Sequence, residues 1–314
     1  MVHKPASAAW VGTINYFLAS VFWGLNIPLT ASLLKTIDPF WLSPIRYVIA
    51  ATVLAIWVVG TLGFSQLRSP VPMRRVAALS LCVAAFLTCF NLGLMYSDSI
   101  TAAAVMAGSP VYVAVVSRFM ISARLERGFG GAALLTMVGA GIAVYGRASV
   151  STSVSASANG PNVGLHGGEV LLVMSIACWT VYSILAQRWF PSDVSQLRRT
   201  FLTTITALPW LVLLWVLARL TGLVGEPNLH PNGEALINLL LTAVFGSALA
   251  VVAWNNGVAK LGINAGSVWQ NMVPVFAVVI SVIFFGLVPT LAQVIGGIVV
   301  LSGVLYLQWR KVRG

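Results

Sequence analysis

Charged residues are scarce in this chain. They make up 8% of its 314 residues, whereas 59% of the residues are hydrophobic. A soluble domain carries about 25% charged residues because its surface has to stay in water. The mean hydropathy of +0.93 agrees with this deficit. The composition therefore excludes an ordinary soluble protein and indicates a chain embedded in a membrane.

Acidic, histidine and cysteine side chains are also few. The acids and histidines all lie at the ends of hydrophobic runs or between them: Asp38, Asp98, Glu126, Glu169, Asp193, Glu226, Glu234, His3, His166 and His230. The cysteines Cys82, Cys89 and Cys178 lie inside such runs without the spacing of metal ligands, so we interpret them as small core residues. This pattern disfavours a membrane enzyme, and no catalytic residue, metal or cofactor is expected. It also disfavours a proton-driven antiporter, which needs a titratable group within the membrane.

Lysine and arginine outnumber the acids and give a net charge of +11. They form short clusters between the apolar runs rather than one continuous basic face, so no nucleic-acid partner is expected. Loop ends on the cytoplasmic side of a membrane explain such clusters.

The dominant pattern is a series of apolar runs, each long enough to cross a bilayer core as a helix of about 20 residues. Helix is the expected element because an isolated strand in lipid leaves its backbone groups unsatisfied. The ten predicted spans are Gly12–Leu34, Trp41–Leu62, Val76–Tyr96, Thr101–Ile121, Gly128–Tyr145, Val170–Trp189, Phe201–Leu220, Ala235–Val258, Ala265–Phe285 and Leu291–Gln308. The predicted fold class is an all-α integral membrane protein with ten transmembrane helices.

The distribution of basic residues predicts the orientation of these spans. A cytoplasmic N-terminus places 14 of the 18 Lys and Arg residues inside and leaves Lys35, Arg46, Arg147 and Arg219 outside. This bias predicts that both termini are cytoplasmic. It also supports the span count, because one span more or fewer would disrupt the alternation.

The second half of the chain resembles the first. The segment Cys89–Gly139 aligns without gaps on Ala253–Gly303, and the identical pairs include Asn91/Asn255, Gly93/Gly257, Pro110/Pro274 and Gly139/Gly303. Trp23 and Trp179 match more loosely in the earlier spans, as do Pro39, Ser43 and Arg46 with Pro191, Ser195 and Arg198. Because each half has an odd number of spans, the second enters the membrane from the opposite face, as in alternating-access carriers. A duplication retained only as a scaffold is the alternative.

The same count predicts the domain organisation. Residues 1–146 form the first five-helix repeat and residues 169–314 form the second. Residues 147–168, which are rich in Ser, Ala, Asn and Gly, form a flexible linker on the outer side.

Several motifs carry a resemblance to a known family. Phe22-Trp23-Gly24-Leu25-Asn26, Pro39 with Arg46, Ser109-Pro110 and Glu126 resemble the drug/metabolite transporter superfamily, in its EamA-like ten-helix branch. The tryptophans and the first two spans are most similar to the YddG type, exporters of aromatic and other amino acids. The resemblance implies a central cavity lined by the first, third, fourth, sixth, eighth and ninth spans. Leu287-Val288-Pro289-Thr290 departs from the pattern, because the family often has another acid there.

Polar and aromatic side chains within the spans are the candidates for a substrate site. Polar groups are costly in lipid and face a helix partner or water, whereas an aromatic ring can stack on a substrate or hold an ammonium group. The predicted binding residues are Ser20, Trp23, Asn26, Asn91, Tyr112, Trp179, Tyr182, Asn255, Trp269, Gln270 and Asn271. Tyr96 and Trp254 are further aromatic residues in the spans. For each polar residue the alternative is a helix–helix hydrogen bond, and for each ring it is lipid-facing bulk.

Prolines within the spans free backbone carbonyls and allow kinks. Pro110 and Pro274 occupy equivalent positions in the two halves, so they are predicted hinges. Static bends that shape the cavity are the alternative.

Together these features predict a bacterial inner-membrane carrier that exports amino acids, aromatic or other neutral and amphipathic ones, by alternating access. Facilitated diffusion without proton coupling is expected because no acid lies in mid-span. A phosphate-bearing substrate is disfavoured, since no basic residue lies centrally. The alternative is a broad-specificity exporter of drugs or other small metabolites. The expected partners are a small-molecule substrate and the lipid bilayer, and no obligate protein partner is inferred.

Overall fold

The computed structural model describes residues 6–34, 36–95, 105, 108–122, 124–125, 127–154, 168–227, 232–285 and 289–313. Helices dominate this part of the chain, and no strand occurs in it. The helices are α1 (Ala6–Leu33), α2 (Pro39–Leu62), α3 (Met73–Met95), α4 (Ser109–Ile121), α5 (Phe129–Val154), α6 (Gly168–Trp189), α7 (Gln196–Leu220), α8 (Gly233–Leu261), α9 (Ile263–Gln270), α10 (Met272–Phe285) and α11 (Leu291–Arg313).

Six helical segments of the described residues are long and apolar enough to cross a membrane: α2, α3, α6, α7, α8, and α9 together with α10. Shorter apolar helices lie at Ser109–Ile121, Phe129–Ile142 and Val294–Leu307. Each predicted span overlaps at least one helix. The protein is therefore an all-helical, multi-pass membrane protein, and the count of ten spans stays a prediction.

The structure differs from the sequence prediction at the end of the fifth span. Helix α5 continues to Val154 and so enters the predicted linker 147–168. The segment Arg147–Val154 contains neither Gly nor Pro, so nothing in it interrupts a helix. The rest of that linker up to residue 167 lies outside the described residues, as do Tyr96 and Glu126.

Side-chain caps define where several helices begin. The carboxylate of Asp38 accepts hydrogen bonds from the backbone N–H groups of Phe40 and Trp41 at 2.8 and 2.9 Å. The Asn232 side chain accepts one from the N–H of Ala235 at 2.8 Å. These contacts satisfy N–H groups that have no partner in the first helical turn.

The helices pack in pairs across the two halves of the chain. Helix α5 packs against α11, α3 against α6, α1 against α8, and α2 against α7. Helix α1 also contacts α10, and α6 contacts α4. The centre of the bundle therefore combines α1, α3, α6 and α8, whereas α5 and α11 form a separate pair.

Glycines set how closely these pairs approach. A Cβ atom on Gly139 of α5 would lie 2.6 Å from the backbone nitrogen of Val300 on α11. A Cβ on Gly303 of α11 would lie 2.9 Å from the carbonyl oxygen of Ala132 on α5. Because both approaches involve backbone atoms, a side chain cannot move out of the way, and the two helices need glycine here.

Gly139→Leu is expected to lower the stability of the protein, because the added side chain separates α5 from α11. Overpacking of this kind costs about 1–3 kcal/mol. The matched control is Gly141→Leu on the same helix, where no heavy atom lies within 4 Å of the added Cβ. Both variants replace Gly by Leu in α5, so their helix propensity rises equally. The difference between their unfolding temperatures in detergent therefore measures the effect of the contact between α5 and α11. Equal unfolding temperatures for the two variants would contradict this packing.

Candidate functional site

Three tryptophans meet at the centre of the bundle, and we refer to Trp23, Trp179 and Trp254 as the tryptophan cluster. Their ring centroids lie 5.4 Å apart for Trp23 and Trp254, 5.8 Å for Trp23 and Trp179, and 6.1 Å for Trp179 and Trp254. They come from α1, α6 and α8. Phe86 and Tyr182 each lie 5.1 Å from the Trp179 ring. The cluster thus joins two predicted binding residues to Trp254, which the predicted set did not include.

The indole N–H groups of the cluster differ in their partners. Trp23 donates to the carbonyl oxygen of Gly246 at 3.1 Å, and Trp254 donates to Ser183 Oγ at 3.0 Å. The Nε1 atom of Trp179 is buried without a hydrogen-bond partner. A buried donor without an acceptor costs about 1–3 kcal/mol, so this N–H can bind an acceptor supplied by a ligand.

A stretch of π-helix in α8 provides the acceptor for Trp23. The π segment covers Thr242–Leu249 and includes Gly246. Such segments are rare and often occur at functional sites, because the wider turn changes the direction of backbone carbonyls. A Cβ on Gly246 would lie 2.5 Å from the side-chain oxygen of Asn26. Glycine is therefore required where Asn26 of α1 packs against the π segment.

Asn255 lies in a buried network that joins three helices. Its side-chain nitrogen donates to the Tyr182 hydroxyl and to Thr200 Oγ1, each at 3.0 Å. The Tyr182 hydroxyl also pairs with Thr203 Oγ1 at 3.3 Å. Asn255 is 0% exposed, and its side-chain oxygen has no partner. These bonds link α8 to α6 and α7, which is the helix–helix role considered as the alternative for Asn255 and Tyr182.

Asn91 takes a related position in the other half of the chain. Its side-chain nitrogen donates to Ser43 Oγ on α2 at 3.4 Å. Asn91 is partly buried, whereas Asn255 is fully buried. The two asparagines thus link α3 to α2 and α8 to α7, but they differ in exposure.

A second group of predicted binding residues lies around the break between α9 and α10. Ser20 Oγ donates to the carbonyl oxygen of Trp269 at 3.0 Å, and the helix is interrupted at Asn271. Pro274 has no backbone N–H, so it cannot pair with the carbonyl of Gln270 in an α-helix. Burial is nearly complete for Ser20, Trp269 and Asn271, and partial for Gln270. The Trp269 Nε1 atom is buried without a partner, like that of Trp179.

Two predicted residues lie on α4, apart from the tryptophan cluster. Pro110 is in the first turn of α4, which begins at Ser109, a position where proline is compatible with a helix. Tyr112 is partly buried against the core. At the other end of α4, a groove of about 550 Å³ is lined by Ala114, Val115, Arg118, Phe119, Arg124 and Leu125. None of the predicted binding residues lines this groove.

Comparison with known proteins agrees with the helical membrane architecture. The sequence model of the EamA-like transporter family matches residues 10–145 and again residues 166–309. The chain is 24% identical over 288 residues to the uncharacterized transporter YyaM of Bacillus subtilis, covering 91% of this chain and 90% of that protein. It is 24% identical over 299 residues to the uncharacterized transporter YrdR of the same organism, with the same coverage.

A solved crystal structure matches 99% of this chain and 100% of its own chain with a TM-score of 0.75. The sequence identity is 19%, so this likeness shows the fold alone. The matches to the family cover both halves and most of the described helices. The chain therefore belongs to the EamA-like transporter family and is a multi-pass membrane transporter.

Proposed function

We propose that this protein exports amino acids, aromatic or other neutral and amphipathic ones, across the bacterial inner membrane. The observation that carries the proposal is the tryptophan cluster, in which the buried Trp179 N–H has no acceptor and the Trp179 ring lies 5.8 and 6.1 Å from the rings of Trp23 and Trp254. Stacking on a substrate ring contributes about 0.5–1.5 kcal/mol beyond burial. A hydroxyl oxygen on the ring of such a substrate, as in tyrosine, can accept the N–H. The family implies a small-molecule substrate, and the cluster suits one with an apolar or aromatic side chain.

An inverted repeat would give this carrier its alternating access. If Trp23 is equivalent to Trp179, then Tyr16 is equivalent to Leu172. A Cβ on Gly93 would meet Leu172, and a Cβ on Gly257, the equivalent of Gly93, would meet Tyr16. The helix pairs correspond in the same way: α1 packs on α8, and their equivalents, α6 and α3, pack on each other. These correspondences, together with one family match to each half, support two inverted five-helix repeats in residues 1–146 and 169–314.

The helix break at Asn271 is the proposed site of movement. Its position between α9 and α10 lets α10 tilt without breaking a continuous helix. Pro274 and the equivalent Pro110 are the proposed hinges, and the hydrogen bond of Ser20 to the Trp269 carbonyl holds the break closed. The remaining predicted binding residues, Asn26, Asn91, Tyr112, Gln270 and Asn271, would line the path opened by this tilt.

Purified protein in liposomes loaded with unlabelled tryptophan is expected to exchange it for external labelled tryptophan. Because no acid lies in mid-span, an imposed pH gradient alone should drive no accumulation. Accumulation driven by the pH gradient would contradict facilitated diffusion. Exchange of amphiphilic drugs in place of amino acids would instead favour the broad-specificity exporter.

Trp179→Phe keeps an aromatic ring in the cluster and removes the unpaired N–H. Exchange of labelled tyrosine, whose hydroxyl oxygen can accept this N–H, is expected to fall about fivefold, as the loss of one hydrogen bond of about 1 kcal/mol predicts. The matched control is Trp10→Phe, which alters a tryptophan that is 66% exposed. Equal exchange rates for the two variants would show that the tryptophan cluster does not bind substrate during transport.

Asn255→Ala is expected to lower the unfolding temperature in detergent, because it removes donors to Tyr182 and Thr200 within a buried network. The loss of buried hydrogen bonds costs about 1–3 kcal/mol. Asn91→Ala should cost less stability, since Asn91 is only partly buried and its bond to Ser43 is longer, at 3.4 Å. A fully stable Asn255→Ala protein with reduced exchange would show that Asn255 binds substrate instead.

The orientation is tested with topology reporters. A reporter that is active only in the cytoplasm is expected to function at the C-terminus, and one that is active only in the periplasm should function when inserted within residues 155–160. The charge bias of the loops is the physical reason. Silence of either reporter would overturn the proposed placement of both termini in the cytoplasm.

A further inference from the structure

Arg46 is a buried cation inside a predicted span. It is the eighth residue of α2, so it lies about 10 Å along the helix from its start. The residue is 8% exposed, although the sequence suggests only a position near a span end. Its Nη1 atom donates to Thr30 Oγ1 on α1 at 3.4 Å, and its Nε atom is buried without a partner.

No acid neutralises this guanidinium within the described residues, where the single ion pair joins Arg219 to Glu226. Removing a charge from water costs several kcal/mol when no counter-charge or full set of hydrogen bonds repays it. A buried guanidinium without a counter-charge has free donors for an anion.

Other arginines of the structure do not share this condition. Arg198, which aligns with Arg46 in the second half, donates to the carbonyl oxygens of Gln66 at 2.9 Å and Arg68 at 2.7 Å. Buried Arg199 donates to the carbonyl of Val194 and to the side-chain oxygen of Gln187, each at 3.0 Å, among other acceptors. Protein oxygens thus accept hydrogen bonds from these two residues. Of the aligned pair, only Arg46, in the first half, has a buried donor without an acceptor.

Contacts along one face of α1 connect Arg46 to the tryptophan cluster. Thr30, which accepts from Arg46, donates to the side-chain oxygen of Asn26 at 3.4 Å. Asn26 packs against Gly246, whose carbonyl accepts the Trp23 indole N–H. Trp23, Asn26 and Thr30 are spaced by three and four residues, so they share a helix face. Thr30, the residue that Arg46 contacts, therefore lies two helical turns, about 10 Å, from Trp23 along α1.

We propose that Arg46 binds the carboxylate of the transported molecule, an inference that rests on the proposed amino-acid transport. A carboxylate accepts two parallel N–H bonds from a guanidinium, here from Nε and one Nη atom, and neutralises the buried charge. The same charge repels an amine that has no carboxylate. The substrate class is thus narrowed to small carboxylates with an apolar or aromatic side chain, and amphiphilic cations are excluded.

The test measures exchange of labelled tryptophan in liposomes against three competitors. Indole-3-propionate keeps the carboxylate and lacks the amine, whereas tryptamine and tryptophanamide lack the carboxylate. With the unaltered protein, indole-3-propionate should compete and the other two should compete at least about tenfold less well. Tryptophanamide competing as well as unlabelled tryptophan would overturn the role of Arg46 while leaving amino-acid transport intact. Absence of any amino-acid exchange would overturn both proposals.

Variants separate Arg46 from a general effect of lost charge. Arg46→Gln should reduce tryptophan exchange about tenfold and abolish competition by indole-3-propionate, and Arg46→Lys should restore part of both. Arg198→Gln, the matched control, should keep the preference for carboxylates because Arg198 is already bonded to protein carbonyls. Unchanged preference in Arg46→Gln would refute the assignment. If that variant fails to fold, the competitor series on the unaltered protein decides the question.

Discussion

The structure depends on one constraint: in hydrocarbon, each polar group has to find its partner inside the protein. Many serines and threonines meet it by donating to a backbone carbonyl one turn earlier, as Thr180 does to Ile176 at 2.7 Å. The side-chain nitrogen of Asn255 meets it by donating to Tyr182 and Thr200, which joins α8 to α6 and α7. Against this background a buried donor without an acceptor is informative, because folding has left it unsatisfied. Trp179, Trp269 and Arg46 are such residues, and they belong to helices α6, α9 and α2.

Lipid offers no hydrophobic driving force for helix association, so close packing has to supply the stability. Glycines at the helix interfaces allow close packing because they let the two backbones approach each other. Helices α5 and α11 contact each other through backbone atoms at Gly139 and Gly303, which makes them a rigid support. The central helices include the π segment of α8 and the break at Asn271. Close packing of α5 on α11 and irregular helices elsewhere would allow the proposed change of access without loss of the fold.

Hydropathy predicted the helical membrane class because it depends on composition over long windows, whereas the family was predicted from the resemblance of short motifs. The meeting of Trp23 with Trp179 also follows from their equivalent positions in two spans. The partners of Asn255 could not be predicted, since they depend on how three helices rotate about their axes. Hydropathy follows the sequence alone and predicts that Arg46 lies near a span end, whereas its burial depends on how α2 packs against α7 and the π segment of α8. The π segment has no sequence signal beyond Gly246 in an otherwise apolar run.

The two halves differ where they would bind substrate, and this difference has a physical origin. Under the proposed repeat, the π segment Thr242–Leu249 of α8 corresponds to residues 78–85 of α3, which are regular α-helix. The π segment turns the Gly246 carbonyl toward Trp23, whereas the equivalent tryptophan, Trp179, has no such acceptor. The first half therefore satisfies its indole and leaves its arginine free, and the second half satisfies its arginine and leaves its indole free. Under the proposed repeat each half would thus present one free donor, which suits an asymmetric molecule with a hydroxylated ring at one end and a carboxylate at the other.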